Sequence, residues 1–84
     1  MPALIGGSAL IDTKLILEKA QIGDRMKVAE LGCGASGHFV FPAAKLIGKQ
    51  GVIYAIDILK TVLETVNRRA RAENYFNIKT VWSD

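Results

Sequence analysis

The stretch Met26-Lys27-Val28-Ala29-Glu30-Leu31-Gly32-Cys33-Gly34-Ala35-Ser36-Gly37 decides the fold: a short apolar run with an embedded acid empties into three glycines. Gly32, Gly34 and Gly37 are spaced G-x-G-x-x-G, at the exit of a predicted strand and the entrance of a predicted helix, and that context gives the motif its weight. Glycine admits positive φ and presents no Cβ, so the backbone can turn sharply there and approach a ligand closely. A turn of this kind opening a helix makes a nucleotide-type pocket.

Downstream of the turn, His38 to Ile47 reads as a helix closed by Gly48. Pro42 is compatible with it in the first turn, where the missing N–H had no partner, so the helix starts between His38 and Phe41. Lys49-Gln50-Gly51 turns into a second strand, Val52 to Ile56, whose nearly continuous apolar run suits a parallel strand covered on both faces. Leu59, Val62, Leu63, Val66 and Ala70 then recur at helical spacing, Asn74 ends that helix, and Ile78 to Trp82 alternates into a third strand.

Upstream, Asp12 can cap a helix running to about Gln21, with Ile11, Leu15, Ile16, Leu17 and Ala20 spread over more than one face. Gly23-Asp24 makes the turn into the first strand. Met1 to Gly7, with Pro2 and Gly6-Gly7, reads as a flexible lead-in, which divides the chain into a lead-in over 1–11 and a partial Rossmann-like domain over 12–84. The order is helix, β, α, β, α, β. Right-handed crossovers place the strands in spatial order 3-2-1, so the expected fold is α/β, half of a Rossmann-like doubly wound sheet.

At 84 residues the chain is at most one small domain, short for a doubly wound fold of about 100–200 residues. It is 50% hydrophobic and 23% charged, which is globular rather than disordered. The net charge of +3 permits an acidic partner without requiring one. A single cysteine excludes an internal disulfide framework and suits a reducing cytoplasm. The apolar runs are too short to span a membrane. Met1 to Ile11 has no basic segment ahead of its apolar residues and makes a poor signal peptide, so the cytoplasm is the default location.

Glu30 discriminates between ligands. A dinucleotide such as NAD would bring a pyrophosphate to this turn, and a carboxylate aimed into the same crevice would repel it. S-adenosylmethionine, with a positive sulfonium and ammonium and no phosphate, would be attracted. Asp57, 23 positions after Gly34 at the end of the second strand, can accept hydrogen bonds from both ribose hydroxyls; its simpler role is to cap the following helix, and the two can coexist.

Val28-Ala29-Glu30-Leu31-Gly32-Cys33-Gly34, followed by Val52-Ile53-Tyr54-Ala55-Ile56-Asp57, resembles the first two motifs of class I S-adenosylmethionine-dependent methyltransferases. The resemblance runs from about Asp12 to the end of the chain. It implies S-adenosyl-L-methionine as cofactor, bound by Glu30, Gly32, Cys33, Gly34, Gly37, Asp57, Ile58 and Asp84. Of these, Glu30 would help hold the methionine end and Asp84 would contact the adenine amino group. It also implies about four further strands, which carry the acceptor contacts and any catalytic groups. The 84 residues then read as an inactive N-terminal piece of a longer enzyme, with no catalytic residue and no metal ligand assigned. Many members place one residue between the second and third glycines, whereas Ala35 and Ser36 both intervene here. That departure keeps the NAD-binding half of an oxidoreductase open as an alternative, beside a non-catalytic folding or assembly unit.

Cys33 reads as a small residue filling the turn rather than a nucleophile, and His38 as a helix-start residue rather than a base. Phe39, Phe41, Tyr54 and Trp82 read as core or pocket wall. Arg68, Arg69 and Arg71 read as a solvated helix face, on which Glu64 can pair with Lys60 and Arg68. Nucleic acid as the methyl acceptor stays open, and no residue asks for it. A first strand with no neighbour on one side predicts self-association through that edge.

Overall fold

A computed structural model describes residues 12–84. The expected lead-in over 1–11, Ile11 of the first helix included, lies outside the described residues. The elements follow the predicted order: α1 (Thr13–Lys19), β1 (Lys27–Leu31), α2 (Val40–Ile47), β2 (Val52–Asp57), α3 (Lys60–Ala72) and β3 (Ile78–Trp82). The three strands are parallel in the order β1-β2-β3, as the crossover rule requires.

Local chemistry sets the ends of these elements. The Leu15 N–H donates to Asp12 Oδ1 at 3.1 Å, which caps α1. Both α1 and α3 close with paired bonds in which a left-handed residue turns the chain. In α1 Gln21 (φ 62°) sits between the Gln21 N to Glu18 O and Ile22 N to Leu17 O bonds. In α3 Asn74 (φ 61°) plays that part, with Asn74 N to Arg71 O and Tyr75 N to Ala70 O. α2 begins at Val40, with Pro42 inside its first turn, and ends on Gly48 at φ 73°. The Asn77 side-chain amide donates to both Ala44 O and Gly48 O at 2.8 Å, pinning the carbonyl end of α2 to the start of β3.

The register sorts the strand residues into two faces. Val28, Ile53 and Ile78 form one row and Glu30, Ala55 and Thr80 the next, on the face covered by α2 and α3. There Ile53 and Ala55 are buried with Val40, Phe41, Ala44 and Ile47 of α2 and Leu63, Val66 and Ala70 of α3. The opposite face carries the row Leu31, Ile56, Val81, of which Leu31 is 80% exposed. The expectation that β2 is covered on both faces is therefore corrected. Both crossovers are right-handed and step in the same direction across the sheet, so both helices fall on one side. The apolar run of β2 serves one packed face and one open face.

Candidate functional site

The turn after β1 is fastened first to β2. Gly32 N and Cys33 N both donate to Ile56 O, at 2.8 and 3.1 Å. Gly34 N donates to Asp57 Oδ2 at 3.2 Å, while Leu59 N donates to Asp57 Oδ1 at 3.0 Å. One carboxylate thus holds the glycine turn and the start of α3 together. These N–H groups, Leu59 first and Gly34 next, hold the Asp57 carboxyl below the usual carboxylate range. An ionised carboxylate has about four acceptor positions, so each oxygen retains one for a ligand hydroxyl.

Gly32, Gly34 and Gly37 all have positive φ, 68°, 75° and 61°. Their surroundings differ. A Cβ on Gly32 or Gly34 would meet nothing within 4 Å, so the turn leaves clear space on the side where a ligand would approach. A Cβ on Gly37 would stand 2.3 Å from the Phe41 ring, so the third glycine serves packing against α2.

Glu30 lies one residue before the end of β1, half-buried beside the fully buried Ala55. Its Oε1 is buried with no hydrogen-bond partner among the described residues, and burial pushes its carboxyl up to about 7. Cys33 is buried between the two acids: burial first, and then the charges of Asp57 and Glu30, push its thiol up to about 11. It is an inert thiol filling the turn, as the sequence indicates. Both acids act on Cys33, so their carboxylates make a negative potential at the turn.

Ile58 is 58% exposed beside Asp57, with its carbonyl accepting from Trp82 Nε1 at 2.8 Å. Asp84 is exposed two residues past β3. Because the strands are parallel, Glu30, the glycine turn, Asp57, Ile58 and Asp84 all gather along the carboxyl edge of the sheet. His38 is half-buried edge-on to Phe39, with its Nε2 buried and unpartnered.

Several expected roles change. Phe41 is core, but Trp82 is 52% exposed, bonded through its indole N–H to the loop after Asp57 and covered by the Lys60 ammonium at 4.9 Å. Glu64 forms neither of its expected ion pairs among the described residues; the helix pair is Arg69 with Glu73 at 2.9 Å. Arg69 stays exposed but reaches back from the solvated face to the turn. Its guanidinium lies 4.0 Å over the Phe41 ring and donates to Ser36 O at 3.0 Å. A signal for this was present, since Arg69 lies i+3 from Val66 and i+7 from Val62, on the flank of the apolar stripe. Among the described residues no group of side chains is placed to hold a metal ion, and no helix is long and apolar enough to cross a membrane.

An open parallel sheet with a glycine turn after β1 and an acid at the end of β2 is a Rossmann-like arrangement. A family profile for a methyltransferase domain matches residues 22–84. The chain belongs to this methyltransferase-domain family. It is 34% identical over 58 residues to the aklanonic acid methyltransferase of Streptomyces sp. (strain C5), an alignment covering 69% of this chain and 26% of that protein. Among solved structures, a SAM dependent methyltransferase from Aquifex aeolicus matches with a TM-score of 0.80 and 23% identity over 89% of this chain and 39% of its own. Coclaurine N-methyltransferase, bound to N-methylheliamine and SAH, matches with a TM-score of 0.78 and 28% identity over 86% of this chain and 21% of its own. The chain thus spans about a quarter of the curated relative and one to two fifths of these structural relatives.

Proposed function

We propose that this chain is the cofactor-binding half of an S-adenosylmethionine-dependent methyltransferase. The observation that carries the reading is the buried, unpartnered Oε1 of Glu30 at the lip of a glycine turn. A buried acid without a partner is costly unless a ligand supplies one, and a cationic ligand suits it. Family membership and a coclaurine N-methyltransferase relative bound to SAH support the same cofactor. The crevice fits it in three respects: open space over Gly32 and Gly34, free lone pairs on Asp57 for ribose hydroxyls, and the negative potential of Glu30 and Asp57 for a cation. That potential disfavours the pyrophosphate of NAD.

In this reading Glu30 faces the methionine end, Asp57 the ribose, and Ile58 and Asp84 flank the adenine, with Gly32, Cys33, Gly34 and Gly37 shaping the turn between them. When bound, the sulfonium makes its methyl group electrophilic, so the protein has chiefly to align donor and acceptor and exclude water. The described residues orient the donor from the carboxyl edge of the sheet; the methyl acceptor is unassigned. We further propose a cytoplasmic location and self-association through the edge of β1, which among the described residues pairs with β2 alone.

Calorimetric titration with S-adenosylhomocysteine and, separately, NADH tests the function. S-adenosylhomocysteine should bind, more tightly as pH rises from 6 to 8 because its ammonium favours ionised Glu30, and Glu30→Gln and Asp57→Ala should each weaken it about tenfold or more. Tighter binding of NADH would reverse the ranking of the two cofactors.

A further inference from the structure

The glycine turn has two halves held by different means. The first half, Gly32 to Gly34, is fastened to β2 through Ile56 O and Asp57. The second half, Ala35 to Gly37, is closed by the long 3.4 Å bond from Gly37 N to Gly34 O and passes into α2 through the bond from Phe41 N to Gly37 O at 3.2 Å, neither of which holds the Ser36 carbonyl. The Ser36 carbonyl is tied from outside, where Arg69 Nη1 of α3 donates to it at 3.0 Å.

We propose that Arg69 is a positioning residue for the cofactor turn, fixing the direction of the Ser36–Gly37 peptide. Because a trans peptide carries its C=O and N–H on opposite sides, holding Ser36 O toward α3 turns the Gly37 N–H inward, toward Gly34 O. Arg69 is itself held on two further sides. Its Nε donates to Glu73 Oε2 at 2.9 Å, and its guanidinium carbon lies 4.0 Å over the Phe41 ring. Phe41 completes the assembly, since its ring occupies the space that a Cβ on Gly37 would need and packs edge-on to Tyr75 at 5.3 Å. Gly37, Phe41, Arg69 and Glu73 thus form one chain of contacts from turn to helix. Lysine cannot reproduce it, because an ammonium lacks the flat face for Phe41 and the fork that bonds Glu73 and Ser36 together.

The role of Arg69 rests on the methyltransferase reading only in what the turn binds, so its test has one arm without cofactor. Amide hydrogen exchange is measured at Ser36, Gly37 and Ala35 in the 84-residue chain and in Arg69→Gln, Arg69→Lys and Arg68→Gln, with S-adenosylhomocysteine affinity measured on the same set. Arg69→Gln should speed exchange at the Gly37 amide about tenfold while amides of the β2 core keep their rates, and it should weaken S-adenosylhomocysteine about tenfold. Arg69→Lys should recover only part of both, and Arg68→Gln, on an exposed side chain, should change neither. Unchanged exchange at Gly37 in Arg69→Gln, or full rescue by Arg69→Lys, overturns the proposal. Faster exchange at Gly37 in a chain that binds no S-adenosylhomocysteine would uphold the role of Arg69 and sink the methyltransferase reading instead.

Discussion

Glu30 bears two opposing demands in one side chain. Without a ligand its carboxyl is raised by burial from the ordinary 4.5 to about 7. Between these values the folded chain holds a proton that the unfolded chain has lost, so the contribution of Glu30 is fully present below about pH 4.5 and is lost as pH rises through 7. The shift alone corresponds to about 3 kcal/mol, and the part of the carboxylate still in contact with water lowers the cost to about 1–2 kcal/mol. Glu30→Gln should therefore stabilise the ligand-free chain by about 1–2 kcal/mol at pH 8 and by nothing at pH 4, read from urea midpoints at the two pH values. Equal effects at both would mean that its ionisation does not drive the difference. If Glu30 binds the cofactor as proposed, the same substitution should weaken S-adenosylhomocysteine, an exchange of stability for function. Asp57 behaves oppositely: its N–H partners lower its carboxyl, so its contribution is present above its unfolded value of 3.8 and is lost as pH falls through the lower folded value.

Among the elements, α2 depends most on contacts that its own sequence does not announce. Its N-cap, Phe39, makes no side-chain capping bond, and its carbonyl end is closed from β3 by Asn77. Asn77→Ala would leave Ala44 O and Gly48 O without this donor, at a cost of about 1–2 kcal/mol in urea unfolding, whereas Glu64→Ala, on an exposed and unpaired side chain of α3, should cost less than about 0.5 kcal/mol. A loss at Asn77 no larger than that at Glu64 would remove it from the structure of α2. The three strands, by contrast, fall where their apolar runs put them, and β3 spans the same residues, Ile78–Trp82, that alternation in the sequence picks out. Both α1 and α3 end where a left-handed residue interrupts the helix, and Asn74 could be foreseen in that position because asparagine tolerates it better than most side chains. Gln21 carries no such signal.

At the scale of the whole molecule, the helices among the described residues cover one face of the sheet and leave the other open. Leu31, Ile56 and Val81 cross the open face in register, with Leu31 at the β1 edge. This apolar row, beside a β1 edge that pairs with β2 alone among the described residues, is the basis of the proposed self-association. Sedimentation velocity over a range of concentrations should show association, and Leu31→Lys should shift the chain toward monomer by placing a charge on that row. A monomer across the whole range would remove the proposed self-association.

Much of this protein is determined by short-range pattern. The strand, acid, glycine turn, helix and second acid follow from residues near one another in the chain, because period, φ preference and capping are local properties. The sequence also places Glu30 and Asp57 at the same end of the sheet, since both stand at the carboxyl ends of two adjacent parallel strands. The tertiary structure alone decides which face the helices cover, because that depends on crossover hand and sheet order summed over the chain. It alone brings Arg69 to a carbonyl 33 residues away in sequence and Asn77 to two carbonyls of α2. Side-chain bonds of that span leave no periodic trace, because their partners are set by how the elements pack rather than by spacing along any one of them.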